Sequence, residues 1–87
     1  MDLGALLLRT GFAHFVSAPS AELALAEVER LADEPINAVA FASAIADLLS
    51  RGLIRDPIRL DDQALQCHWR LELTPDGVDH ARTLTGA

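Results

Sequence analysis

Apolar positions repeat at helical spacing over three stretches and then switch to strict alternation. The first stretch runs from Asp2 to Val16. Leu3, Leu7, Gly11 and His14 share one stripe, Leu8, Phe12 and Phe15 a second, and Leu6 and Ala13 widen the coverage. A helix apolar over so much of its circumference is expected to be buried on two sides. Gly11 costs about 1 kcal/mol in a helix interior and permits close packing. Ser20 is a suitable N-cap for a second helix over Ala21 to Asp33. Its inward stripe is Leu23, Ala24, Val28 and Leu31 with Glu27 at the margin, while Glu22, Glu29, Arg30 and Asp33 point outward. Pro35 ends it by driving Glu34 out of helical geometry. Asn37 caps a third helix from Ala38 to Arg51, with Phe41, Ile45, Leu48 and Leu49 inward and Val39 and Ala42 beside them. Gly52 follows as a residue suited to the position just past a helix end.

Beyond Gly52 the period becomes two. Cys67, Trp69, Leu71 and Leu73 fall on one face, and Gln66, His68, Arg70 and Glu72 on the other, which predicts a strand with one buried side. Its partner is Leu53 to Leu60. Pairing Ile58 with Trp69 and Leu60 with Cys67 aligns the apolar positions. It also sets Arg59 opposite His68 and Arg55 opposite Glu72. In that register Asp56 faces inward, so a bulge at Asp56-Pro57 is expected, and Pro57 demands an edge strand. Asp61 to Ala64 form the loop. Thr74 and Pro75 supply the N-cap and first-turn proline of a last helix carrying Val78, Ala81, Arg82 and Leu84. The predicted order is helix-helix-helix-strand-strand-helix. The fold class is mainly α with a two-stranded antiparallel β-hairpin, in a single domain over residues 1–87.

Nine residues within this pattern carry a family resemblance: Leu48, Gly52, Leu53, Ile54, Leu73, Thr74, Pro75, Asp76 and Gly77. Ile45 to Leu84 resembles bacterial winged-helix regulators of the MarR and PadR type. In those families a helix ends in Leu-x-x-x-Gly-Leu-Ile, a hairpin follows, and the hairpin ends in Leu-Thr-Pro-Glu-Gly. The resemblance covers under half of the chain. It implies a winged helix-turn-helix, DNA contact through the third helix and the wing, and dimerisation by a terminal helix. Read physically, the same residues are scaffold. Gly52 turns the chain out of the helix, Leu53 and Ile54 return to the core, and Thr74-Pro75 stop a strand and start a helix.

Composition bears on that expectation. The chain has 87 residues, 51% of them hydrophobic, enough for one small core. Aromatics are limited to Phe12, Phe15, Phe41 and Trp69. Every basic residue is Arg and Ala is abundant, a usage typical of a GC-rich bacterial genome. The formal net charge of -6 opposes phosphate binding unless the cations cluster. On the third helix the expected outward positions are Asn37, Ala40, Ser43, Ala44 and Asp47, and its single cation, Arg51, comes at the C-terminal end. Groove-reading helices engage bases mainly through their N-terminal residues. Asp33 and Glu34 precede it. The wing offers Arg55, Arg59 and Arg70 with His68, but its tip carries Asp61 and Asp62. A nucleic-acid surface would therefore consist of Asn37, Ser43, Arg51, Arg55, Arg59 and Arg70.

No sequence pattern points to catalysis. His14, His68 and His80 lie on separate elements. Adjacent Cys67 and His68 point to opposite strand faces. Asp76, Asp79 and His80 read as solvated charges. There is no Gly-rich phosphate loop and no Cys-x-x-Cys pair, so no cofactor, metal or small-molecule ligand is expected. A single Cys excludes an internal disulfide and fits a reducing compartment. The apolar N-terminal stretch is too short to span a bilayer and has the wrong charge for a secretory signal, which makes a cytoplasmic protein the expectation. The reading is a non-catalytic interaction module that self-associates as a homodimer, or binds a protein partner, through Leu3, Leu7, Leu8, Phe12 and Phe15. The alternative is a DNA-binding transcriptional regulator.

Overall fold

The computed structural model describes residues 2–60 and 67–85, without the side chains of Arg59, Leu60, Cys67, His68 and Thr85. The loop with Asp61 and Asp62, and the faces expected for Cys67 and His68, lie outside what is described. The order is α1 (Leu3–Ala13), β1 (Val16–Ala18), α2 (Ala21–Ala32), α3 (Ala38–Ser50), β2 (Ile58–Leu60), β3 (Cys67–Leu71) and α4 (Pro75–Thr85). The chain is mainly helical with an antiparallel sheet. The sheet contains the expected β2–β3 hairpin and a third strand, in the order β1-β3-β2.

The extra strand comes from the end expected to be helix. α1 stops at Ala13, His14 turns extended, and Val16, Ser17 and Ala18 pair with Leu71, Arg70 and Trp69. Three residues carry no usable period of their own. Pairing with β3 gives the segment backbone partners on one side, and Val16 and Ala18 become buried.

Side chains cap the starts of the first three helices, Ser20 and Asn37 as expected and Asp2 in addition. Asp2 accepts from the Ala5 N–H, Ser20 from Leu23, and Asn37 from Val39 and Ala40. α2 ends with Asp33 in the left-handed region at φ 55°, one residue earlier than the proline alone required. The Glu29 carboxylate then accepts the Ile36 N–H at 3.0 Å, closing the turn between α2 and α3. On α2, Ala24 and Val28 are buried as expected, but Leu23 is exposed and Leu25 packs against the core instead.

α3 ends in a Schellman motif. The Leu53 N–H reaches the Leu48 carbonyl at 3.0 Å and the Gly52 N–H reaches Leu49 at 3.1 Å, with Gly52 at φ 71°. Leu48 and Leu53, at the positions that meet in this motif, are both buried. The Thr74 hydroxyl donates to the Gly52 carbonyl at 2.6 Å and accepts the Gly77 N–H at 3.1 Å. The Thr74 N–H donates to Leu53 at 3.1 Å. The start of α4 is thereby fastened to the end of α3.

The hairpin register is the expected one: Ile58 with Trp69, Arg59 with His68 and Leu60 with Cys67. The same offset continues to an isolated bridge between Ile54 and Leu73, and the Arg55 N–H donates to the Glu72 carbonyl. No residue is inserted, so the bulge expected at Asp56-Pro57 is absent. Asp56 does not enter the core either. It is exposed, no described residue covering the sheet margin beside it, and its carboxylate accepts the Ile58 N–H at 3.0 Å. Trp69, 5% exposed, packs on Phe41 with ring centroids 5.7 Å apart. α1 packs on α4, α3 and α2.

A Cβ at Gly77 would lie 1.9 Å from the Leu53 carbonyl oxygen, a backbone atom with no room to yield. At Gly11 it would meet the Leu73 side-chain tip at 2.6 Å. Gly77→Ala is therefore expected to cost about 3 kcal/mol and Gly11→Ala about 1 kcal/mol in urea unfolding. Equal costs at the two sites would contradict the described junction.

Candidate interaction site

The residues proposed from the sequence for self-association do not form one surface. Leu7 and Leu8 are fully buried within the single chain. That corrects their assignment to an interface, because contacts with the chain's other elements already remove them from water. Leu3 is partly buried against the same core. Only Phe12 and Phe15 remain exposed, Phe15 at 72%. With Gly11, Leu71, Leu73 and Val78 they line an open groove of about 430 Å³ between the end of α1, the end of β3 and α4.

The residues proposed for nucleic acid are dispersed or engaged. The Asn37 carboxamide oxygen is occupied in capping α3. Ser43 is exposed on that helix. Arg51 reaches the Asp47 carboxylate at 3.4 Å, an exposed pair one helical turn apart. Arg55 and Arg70 are exposed, and Arg70 stands beside Ser17 on the outer face of the central strand. The side chain of Arg59 lies outside the described residues.

The outward side of α3 carries an apolar stripe beside exposed Asp47 and Ser50. Val39 is 76% exposed, Leu49 is 39% exposed, and Ala40, Ala42, Ser43 and Ala46 are exposed with them. Val39, Ala42 and Leu49 were expected to turn toward the core. The helix instead faces the core chiefly with Phe41 and Leu48, and Ile45 is half-buried at the edge. One side of this face continues into a groove of about 410 Å³. Its α3 wall is Ala42, Ile45, Ala46 and Leu49, its sheet wall is Pro57 and Ile58, and Phe41 and Trp69 also line it. Ile58, expected in the core, is 60% exposed here because nothing described covers the margin of β2. Asp56 is the single ionisable side chain among the described residues that line the groove. The alternating pattern marked Leu49 and Ile58 as apolar but could not mark them as uncovered.

On α2, lining neither groove, Arg30 hydrogen-bonds Glu27 and lowers the carboxyl pKa while the carboxylate raises that of the guanidinium. Among the described residues no group of three or more His, Cys, Asp or Glu is placed to hold a metal ion. No described helix is long and apolar enough to cross a membrane. No family model, no curated protein and no solved structure matches the chain.

The division between core and surface has a direct check. Phe15→Ser and Val39→Ser are expected to stay within about 0.5 kcal/mol of the parent stability. Leu8→Ala is expected to cost about 2–5 kcal/mol. Denaturant unfolding of the three variants measures this, and an unperturbed Leu8 variant would return that residue to the surface.

Proposed function

We propose that the chain is a non-catalytic winged-helix module that binds protein rather than nucleic acid. Support for the winged helix is the element order together with the placement of β3 between β1 and β2. The observation that carries the functional reading is the outward face of α3. Where a groove-reading helix needs side chains that reach base edges and phosphates, this one presents an apolar stripe of Val39, Ala42, Ala46 and Leu49, with Ser43, Asp47 and Ser50 beside it and no basic residue among them. Its one cation is held by Asp47, and the net charge is -6.

Arg55 and Arg70 keep DNA binding as the rival reading. With Arg59 they neutralise at most about three phosphates, for a shallow salt slope near -2.7 and weak, non-specific affinity. An anisotropy titration against a random-site duplex library near physiological salt is expected to recover no motif. A defined motif bound at nanomolar affinity, and lost in Arg55→Ala and Arg70→Ala, would make the chain a DNA-binding regulator.

The exposed Phe12 and Phe15 favour self-association as a further property of the module. Sedimentation at micromolar concentration is expected to show a species larger than the monomer, and Phe15→Glu to reduce it, because a carboxylate in an apolar interface loses hydration without a partner. A monomer at all concentrations removes this surface from the account.

A further inference from the structure

The groove between α3 and β2 has features that select among occupants. β2 is an edge strand, and an edge ordinarily invites another strand. The hydrogen bonds from Arg70 to Pro57 and from Arg55 to Glu72 turn the backbones of residues 55 and 57 toward β3. Ile58 therefore presents its N–H outward. That N–H is already taken by the Asp56 carboxylate at 3.0 Å. Strand addition would have to break this bond, so the edge is closed to it at this point. A helix needs no backbone partners and is not blocked. On the facing wall, Ala42 and Ala46 stand one helical turn apart and let a second helix approach closely. Ile45, Leu49 and Ile58 supply the apolar contact surface.

Charge decides between a second copy and a different partner. Pairing groove to groove would bring the two Asp56 carboxylates together in an otherwise apolar contact. Like charges brought together across an interface disfavour it. Asp56 is exposed at the groove wall, and the carboxylate that caps Ile58 retains lone pairs for a further donor.

We propose that the α3–β2 groove receives an amphipathic α-helix of a partner protein, its apolar stripe lying between α3 and Ile58 and an Arg or Lys meeting Asp56. This rests on the reading of the chain as a protein-binding module.

Trp69 is the single tryptophan of the chain and lines the groove, so its fluorescence reports occupancy. The probes are two Trp-free helical peptides with the same leucine stripe, one bearing Lys at every other exposed position and one bearing Glu there. The Lys peptide is expected to shift Trp69 emission saturably and to bind at least about tenfold more tightly than the Glu peptide. Asp56→Asn keeps an oxygen acceptor for the Ile58 N–H and removes the charge. It is expected to weaken the Lys peptide about two- to fivefold at low salt, with the difference shrinking as salt rises. Ile58→Ser, at an exposed position, is expected to weaken the Lys peptide while the variant keeps the parent far-UV circular dichroism. Equal binding of the two peptides, or no effect of Asp56→Asn, would overturn the basic partner while leaving the protein-binding reading standing. Binding of neither peptide would overturn the helical occupant. The protein-binding reading itself fails separately, on recovery of a DNA motif in the duplex titration.

Discussion

The end of α3 and the start of α4 are locked together by one threonine, and the architecture follows from that lock. Thr74 bridges the Gly52 carbonyl to the Gly77 N–H, while its own N–H takes the Leu53 carbonyl. Gly52 must adopt a left-handed conformation, and Gly77 must lack a side chain so that Leu53 can lie against it. These contacts hold Leu53 and Ile54 in the core and set the base of the hairpin at the Ile54–Leu73 bridge. From that base the same register offset leads to the pairing of Ile58 with Trp69. Trp69 then meets Phe41 and holds the first turn of α3 against the sheet.

Once Phe41 and Leu48 are fixed inward, the remaining faces of α3 are determined. Val39, Ala42, Ala46 and Leu49 are left to solvent. This exposed apolar stripe on α3 is the basis of the proposed protein-binding function. Charge points the same way. The exposed cations Arg55 and Arg70 lie off this helix, and the one cation at its end is paired.

The sequence was most legible where local chemistry and period agreed. Ser20, Asn37, Gly52 and Thr74 mark helix ends through hydrogen bonds or backbone conformations that few residues supply. The hairpin register was readable because strict alternation in Cys67 to Leu73 leaves few pairings that keep the apolar positions together. β1 was not readable, since three residues become a strand only when β3 lies beside them. The bulge was inferred from the assumption that the inner sheet face is covered everywhere. No described residue covers it at Ile58, and Asp56 stays exposed without any insertion. The same assumption concealed the candidate groove. Apolar character at Leu49 and Ile58 records a preference for burial, whereas their exposure depends on how far α3 extends over the sheet. For α1 the pattern showed two apolar stripes but not which residues the other elements would cover. That division, with Leu7 and Leu8 inside and Phe12 and Phe15 outside, arises from tertiary packing.

Amide chemical-shift mapping on isotope-labelled protein tests the claim that α3 is a protein-binding face most directly. The spectrum is recorded with the lysine-bearing helical peptide and, separately, with a random-sequence duplex at physiological salt. The account predicts peptide-induced shifts concentrated at Ala42, Ala46, Leu49, Ile58 and the Trp69 indole, with small and scattered changes from the duplex. Duplex-induced shifts concentrated on Asn37, Ser43, Arg51, Arg55 and Arg70, with the α3–β2 groove silent toward the peptide, would contradict it.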